Sequence, residues 1–303
     1  MKLGFLTAAL QDLTLEEVAA WAAAVGFETL EVACWPGGGG GERRRYAGVT
    51  HIDVDDYDAG SVRDVLDRHG LEISSLAYYP NNLHPDEAHR AEVNGHLRKV
   101  IDAAAKLGVP TVGTFVGNDK DRPLPENLER FRAIWPDLVS HATSQGVQVA
   151  VENCPMLFSY EEWPGGNNLA WSPAIWAELF EAIPDSGFGL NLDPSHLVWL
   201  QIDVERAIRD FGARILHTHA KDLEIDRDGL YRNGTLSGGI GWQVPRLPGL
   251  GEVSWPRFVA ALSAVGYDGV ISIEHEDRRF EGDEELVKRG FLLARNVLRP
   301  LIV

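Results

Sequence analysis

The chain has 303 residues, of which 45% are hydrophobic and 24% charged, a balance typical of globular proteins that bury a core. Its formal net charge of −17 repels nucleic acid and anionic membranes, so we expect neither as a partner. Cys34 and Cys154 have no CxxC spacing, which argues against a disulfide framework and predicts a reducing, cytoplasmic location. The first residues lack a signal-peptide pattern, and no apolar run reaches the ~18 residues of a membrane span.

Short apolar runs alternate with longer helical patterns along the whole chain. In chain order, the predicted strands are Leu3–Ala8, Thr29–Cys34, Glu72–Tyr78, Thr111–Val116, Val147–Asn153, Gly187–Leu192, Arg214–Ala220 and Val270–His275. The predicted helices that follow them are Thr14–Val25, Ser61–His69, Pro85–Leu107, Pro125–Gln145, Pro173–Ala182, Val204–Phe211, Trp255–Val265 and Asp283–Leu298. Thr14 and Glu17 form a capping-box pattern at the start of the first helix.

This alternation predicts βαβ units and therefore a parallel sheet. Eight such units in about 300 residues are typical of a closed (β/α)8 TIM barrel, here a single domain over residues 1–303. The main rival is a doubly wound open sheet, but no GxGxxG motif follows the first strand.

Three predicted loops after strands are long, namely Pro36–Gly60, Pro155–Ser172 and Leu223–Ser254. In a barrel they lie at the carboxyl-terminal mouth, where active sites are built. Such loops are often functional when they have no regular structure of their own. The five consecutive glycines from Gly37 to Gly41 favour a flexible connector.

Four late strands end in polar residues that can bind a metal. Side chains two positions apart share a face of a strand, so Ala150 and Glu152 share one face, as do Asn191 and Asp193. The same rule groups His217, His219 and Lys221 on one strand, and Ser272, Glu274 and Glu276 on another. Small residues below and one carboxylate above recur on these strands, and His219 lies near the top with His217 one layer deeper. This pattern predicts one ring at the mouth, formed by Glu152, Asp193, His219 and Glu274.

Three carboxylates and one imidazole suit Mn²⁺, Mg²⁺, Co²⁺ or Zn²⁺. A metal there would polarise a carbonyl and stabilise an enediolate, while Glu152 and Glu274 exchange protons with carbon as catalytic acid and base. Among the neighbours, His196 either contacts substrate or orients a ligand, and Lys221 either holds a substrate oxygen or pairs with Asp222. His217, one layer deeper, favours a supporting role over substrate binding, and Trp242 either stacks on a sugar or packs in the core.

With these segments, the chain resembles the sugar phosphate isomerase/epimerase family, whose members have the xylose isomerase-like barrel. The resemblance rests on Val151-Glu152-Asn153, Leu192-Asp193-Pro194-Ser195-His196, His217-Thr218-His219-Ala220-Lys221-Asp222, Ile273-Glu274-His275 and Leu247-Pro248-Gly249-Leu250-Gly251-Glu252. It implies one divalent metal ion, usually Mn²⁺, held by Glu152, Asp193, His219 and Glu274. It also implies that the two glutamates form the acid–base pair, that His196 lies near the substrate, and that the substrate is a small sugar such as a keto-sugar or a 3-keto-glycoside.

Alternatives remain open at this stage. A lyase that eliminates a group β to the carbonyl would share the first proton abstraction, and a non-catalytic sugar-binding barrel would need a broken site. The three-zinc AP endonucleases of the same family carry histidines at early strand ends, where this chain has Cys34-Trp35 and Tyr78-Tyr79. The sequence also leaves a homo-oligomer open.

Overall fold

Ten strands are present in a computed structural model that describes residues 1–37 and 48–302. Eight of them form the barrel: β1 (Lys2–Leu6), β2 (Thr29–Ala33), β3 (Glu72–Ala77), β4 (Thr111–Thr114), β5 (Gln148–Glu152), β6 (Phe188–Leu192), β7 (Ile215–Ala220) and β10 (Val270–Ile273). The other two are β8 (Asp222–Ile225) and β9 (Gln243–Arg246). Most of the glycine run from Gly37 to Gly41, and with it the predicted flexible connector, lies outside the described residues.

The barrel is closed and parallel, as the sequence predicts. Its strands follow the order β1-β10-β7-β6-β5-β4-β3-β2, and β1 pairs with both β2 and β10. Because every strand runs in the same direction, all carboxyl ends meet at one face. The register aligns Glu152 with Asn191 and Ser272 with His219, which fixes the heights of the late strands relative to one another.

Ten α-helices lie among the described residues; most surround the barrel, and Arg227–Asn233 lies in the long loop after β7. They are α1 (Leu15–Ala24), α2 (Ala59–His69), α3 (Glu87–Leu107), α4 (Leu124–Thr143), α5 (Pro173–Ala182), α6 (Pro194–Trp199), α7 (Val204–Phe211), α8 (Arg227–Asn233), α9 (Trp255–Ala264) and α10 (Glu284–Leu298). The capping box of Thr14 and Glu17 is formed as predicted. No helix of the described chain is long and apolar enough to span a membrane.

The apolar core lies between the strands and the helices. Phe5 of β1 points outward and contacts the rings of Trp21, Phe27 and Phe291 at centroid distances of 4.5–5.7 Å. Aromatic pairs at such distances add to the stabilisation from burial. The inside of the barrel is different, because several of its buried side chains are polar, including Glu31, Asn191, His217 and Ser272.

Several predicted boundaries are shifted, and one loop is more ordered than the sequence indicates. The first strand ends at Leu6 rather than Ala8, because Thr7–Leu10 forms a 3₁₀ helix. The sequence predicts no regular structure for the loop Leu223–Ser254, but it contains α8 and most of an antiparallel pair of strands, β8 and β9. This insertion lies at the carboxyl ends of the strands and helps to shape the mouth.

Candidate functional site

Four side chains from four late strands converge at the mouth of the barrel. Glu152 ends β5, Asp193 follows β6, His219 lies near the end of β7 and Glu274 follows β10. One ligand atom from each lies within 4.8 Å of the others. The sequence predicts this ring, and the structure brings all four residues together. That they bind a metal stays a prediction.

Asp193 is held so that one of its oxygens faces the ring. The amide oxygen of Asn153 accepts a hydrogen bond from the backbone N–H of Asp193 at 2.7 Å. The amide nitrogen of Asn153 donates to the backbone carbonyl of Asp193 at 2.9 Å. Oδ1 of Asp193 accepts the N–H of Ser195 at 2.8 Å and caps α6. Oδ2 has no hydrogen-bond partner among the described residues and is fully buried, which is costly for a carboxylate unless a cation lies next to it.

Two cationic or ionisable side chains face this ring. His196 Nε2 lies 3.3 Å from Glu152 Oε1 and 3.2 Å from Asp193 Oδ2. Lys221 Nζ lies 2.6 Å from Glu274 Oε2, 3.3 Å from Asp193 Oδ2 and 3.1 Å from Glu276 Oε2. Both predicted substrate-contact residues therefore touch the ring.

Lys221 does not pair with Asp222, which is one of the two roles that the sequence leaves open. Neighbouring residues on a strand point to opposite faces, and the Asp222 carboxylate points away from the mouth. It accepts hydrogen bonds from the backbone of Leu223, Gly249 and Val253 and from the indole of Trp255 at 2.9–3.0 Å. Asp222 thus ties the insertion to α9.

The pKa values of the two glutamates are shifted in opposite directions. Burial would raise the pKa of Glu152, but hydrogen bonds from His196 and His219 and the charges of His219 and Lys221 hold it well below its usual value. Burial raises the pKa of Glu274 and the charge of Glu152 adds to this, which outweighs the opposing charge of Lys221. A pair of carboxyl groups whose pKa values are pushed apart is typical of an acid–base pair.

His217 lies below the ring and does not reach the mouth. Its Nδ1 lies 3.1 Å from Asn191 Oδ1 and its Nε2 lies 3.1 Å from Ser74 Oγ. It lines a separate cavity of about 480 Å³ between strand starts such as Thr29 and Glu72. Burial lowers the pKa of His217 to about 4, so its imidazole is neutral. Of its two predicted roles, the structure favours the supporting one.

A cavity of about 680 Å³ opens above the ring. This volume lies within the range of roughly 300–1,000 Å³ that small-molecule sites occupy. Glu152, Lys221 and Glu274 form part of its floor, and its aromatic walls are Trp35, Tyr79, Phe115, Phe158 and Trp242. Trp242 is only 2% exposed and its indole donates to Gly234 and Ser237, so it both packs in the insertion and lines the cavity.

Glu31 is a functional candidate that the sequence analysis missed. It is a fully buried carboxylate of β2 whose Oε2 lies 2.8 Å from His219 Nε2. The signal for it was a single glutamate inside the apolar strand Thr29–Ala33, on the same face as the small residue Ala33. Charged residues are rarely buried unless they are paired.

A profile of the xylose isomerase-like TIM barrel family matches residues 19–297. The chain belongs to this family. Uncharacterized protein YfiH of Bacillus subtilis (strain 168) is 27% identical over 314 aligned positions, which cover 91% of this chain and 93% of that protein. Uncharacterized protein MJ1311 of Methanocaldococcus jannaschii is 23% identical over 229 positions, covering 71% of this chain and 68% of that protein.

Two solved structures illustrate the shared fold. The IolI protein, crystallised with a bound zinc atom, superposes with a TM-score of 0.74 at 17% identity and covers 99% of each chain. D-psicose 3-epimerase, crystallised in the presence of D-fructose, has a TM-score of 0.69 at 17% identity, covering 98% of this chain and 99% of that one. At such identities the likeness establishes the fold.

Proposed function

We propose that this protein is a divalent-metal-dependent sugar isomerase or epimerase. The observation that carries the proposal is the convergence of three carboxylates and one imidazole beneath a cavity of about 680 Å³. Glu152 ends β5 and Glu274 follows β10, and these two strands are separated in the barrel by β6 and β7. They therefore approach the cavity from two sides.

The donor set fits a divalent cation. Glu152, Asp193, His219 and Glu274 would hold it, and Oδ2 of Asp193, the oxygen not used to cap α6, faces the same space. Mn²⁺ is the ion we expect, and Mg²⁺, Co²⁺ and Zn²⁺ suit the same donors. When bound, such an ion supplies Lewis-acid chemistry, which polarises a carbonyl and stabilises negative charge on its oxygen. The zinc atom in the IolI structure is consistent with this proposal.

The two glutamates would move the proton. One of them removes a proton from the carbon next to the carbonyl, and the other delivers a proton to the opposite face or to the neighbouring carbon. Lys221, which lines the cavity and lies 2.6 Å from Glu274, and His196, which lies 3.3 Å from Glu152, would contact substrate oxygens. Burial of the ring excludes water and strengthens these contacts.

The substrate we propose is a small keto-sugar or its 3-keto-glycoside. The epimerase neighbour was crystallised with D-fructose present, which supports a sugar. The aromatic walls formed by Trp35, Tyr79 and Trp242 suit the apolar face of a sugar ring, and the volume leaves room for an attached group.

The first test measures metal content and turnover together. Purified protein is loaded with Mn²⁺, and we expect about one equivalent bound to wild type and none to a Glu152→Ala/Asp193→Ala double variant. In D₂O, wild type should introduce deuterium next to the carbonyl of a keto-sugar or 3-keto-glycoside. Glu152→Gln and Glu274→Gln should each lose at least 100-fold in rate, whereas Glu129→Gln on the exposed side of α4 should not.

The outcomes separate the reactions. Deuterium incorporation without bond cleavage supports an isomerase or epimerase, whereas an unsaturated product with a released group identifies a lyase that uses the same first step. Wild type that binds sugar but no metal would instead indicate a non-catalytic binding barrel. Normal turnover of either glutamine variant would disprove the assigned acid–base pair.

A further inference from the structure

A second buried group lies directly below the ring and shares one residue with it. Glu31, His217 and His219 also place one ligand atom each within 4.8 Å of the others. His219 faces the ring with Nδ1, which lies 3.3 Å from Glu152 Oε1 and 3.4 Å from Glu274 Oε2. It faces Glu31 with Nε2 at 2.8 Å. The lower group is therefore either a second metal site or a support for the first.

The hydrogen bonds of Glu31 favour a support. Its Oε1 accepts the hydroxyl of Tyr79 at 2.6 Å. Its Oε2 accepts the hydroxyl of Ser272 at 2.8 Å and the N–H of His219 at 2.8 Å. Three donors thus converge on one buried carboxylate, which is the pattern of a satisfied hydrogen-bond acceptor.

Asn191 connects Tyr79 to His217, and its amide group determines which groups donate and which accept in the hydrogen bonds around Glu31. The amide nitrogen of Asn191 donates to the Tyr79 hydroxyl at 2.8 Å, so the hydroxyl proton points to Glu31. The amide oxygen of Asn191 then accepts Nδ1–H of His217 at 3.1 Å, and the other ring nitrogen lies 3.1 Å from Ser74 Oγ, on the side away from Glu31. Nδ1 is the nitrogen of His217 that faces Glu31, at 4.0 Å from its Oε2, and because it carries the proton it has no lone pair for a metal.

We infer that Glu31, held in place by Tyr79 and Ser272, is a positioning residue that fixes His219 with Nε2 protonated and Nδ1 directed to the metal. A ligating histidine whose other nitrogen donates to a carboxylate has a fixed tautomer and ring orientation, and it is a stronger base. The lower group is then not a second metal site, and each chain binds one ion. This inference rests on the metal centre of the proposed function.

Glu31→Gln is the most direct test of the positioning role of Glu31. Glutamine has nearly the same shape, but its single oxygen cannot accept all three donors, and its amide nitrogen would face a hydroxyl or an N–H. The loss of a supporting partner of this kind lowers metal affinity roughly 10- to 100-fold. Tyr79→Phe removes only one of the three donors and should cause a smaller loss, below about 10-fold.

Tyr78→Phe is the matched control. Tyr78 neighbours Tyr79 just after β3, but its ring packs against His96 of α3 with a centroid distance of 4.6 Å. Removal of its hydroxyl should leave metal affinity unchanged. Mn²⁺ and Zn²⁺ affinities of the three variants and wild type are measured by competition with a chelator, and the metal-free proteins are compared by circular dichroism to confirm that each is folded.

Nuclear magnetic resonance gives a readout that does not depend on activity or on the folding of Glu31→Gln. In zinc-loaded wild type labelled with ¹⁵N-histidine, we expect His219 to carry its proton on Nε2, and the signal of that proton to shift in Tyr79→Phe. If the proton is instead found on Nδ1, or if wild type binds two equivalents and His217→Gln removes one, the inference is overturned.

The affinities separate the two proposals. If wild type binds metal and Glu31→Gln binds equally tightly, the inference fails while the metal centre stands. If wild type binds no metal, both fail. A loss in Glu31→Gln that Tyr78→Phe does not share supports the positioning role.

Discussion

At the scale of single residues, hydrogen bonds decide the protonation state of His51, a histidine that is not a member of the ring. His51 Nδ1 lies 3.0 Å from Thr7 Oγ1, and its Nε2 lies 3.2 Å from the carbonyl of Leu10. Thr7 already accepts the N–H of Ala33 at 3.0 Å, so its proton points to His51. The imidazole must then accept at Nδ1 and donate at Nε2, which is the neutral form.

This arrangement predicts a specific loss of stability in mild acid. Burial lowers the pKa of His51 below its ordinary value of 6.5, against the raising effect of the Leu10 and Leu13 carbonyls. Because the unfolded chain takes up the proton first, the free energy of unfolding falls as pH drops through about 6.5, by up to about 1.4 kcal/mol per pH unit. Urea denaturation between pH 7.5 and 5.5 measures this slope.

The contribution of His51 is isolated by comparison with His51→Gln, which cannot take up a proton. We expect a shallower dependence on pH in the variant, since distant titrating groups contribute equally to both proteins. Parallel curves for the two proteins would show that His51 has the same pKa folded and unfolded.

At the scale of elements, the insertion after β7 is attached to the barrel through close contacts of glycine. Gly239 has φ of +95°, and a Cβ at this position would lie 2.1 Å from Trp199 Nε1 of α6. The indole of Trp199 donates to the carbonyl of the adjacent Gly238 at 2.9 Å. Any larger residue at position 239 would have to push α6 and the insertion apart.

Gly239→Ala should therefore lower the free energy of unfolding by roughly 3 kcal/mol, from backbone strain and overpacking together. Gly266→Ala is the control, because Gly266 also has a positive φ of +77°, but a Cβ added there would have no atom within 4 Å. It should lose only about 1 kcal/mol. Urea denaturation of both variants measures the difference, and equal losses would contradict the contact.

The elements also show what could be predicted from the sequence. The eight barrel strands and their helices follow from apolar periodicity, and the ring follows from polar residues at strand ends. The two-stranded sheet of β8 and β9 was missed because two four-residue strands carry too short a pattern to stand out within a loop. Glu31 was missed because its partner His219 lies 188 positions away, and only the closed barrel brings the two together.

At the scale of the whole molecule, acidic residues contribute both to the net charge and to the buried interior of the barrel. The net charge of −17 keeps the surface hydrated, but Glu31, Glu152 and Asp193 are buried carboxylates. Their mutual repulsion and desolvation are opposed by His196, His219 and Lys221. A divalent cation adds two positive charges at the same place, so its binding should stabilise the entire fold.

This linkage predicts a thermal shift that needs no substrate. A ligand that binds only the folded state at 100 times its Kd adds about 2.7 kcal/mol, which for a chain of this size corresponds to a rise in Tm of about 5 °C. Mn²⁺ is the ion to use, because zinc also binds cysteines and histidines of unfolded chains. Asp193→Ala should abolish the shift, since it removes one of the four proposed ligands, whereas Glu129→Gln should retain it. A shift of equal size in Asp193→Ala would place the stabilising ion outside the ring.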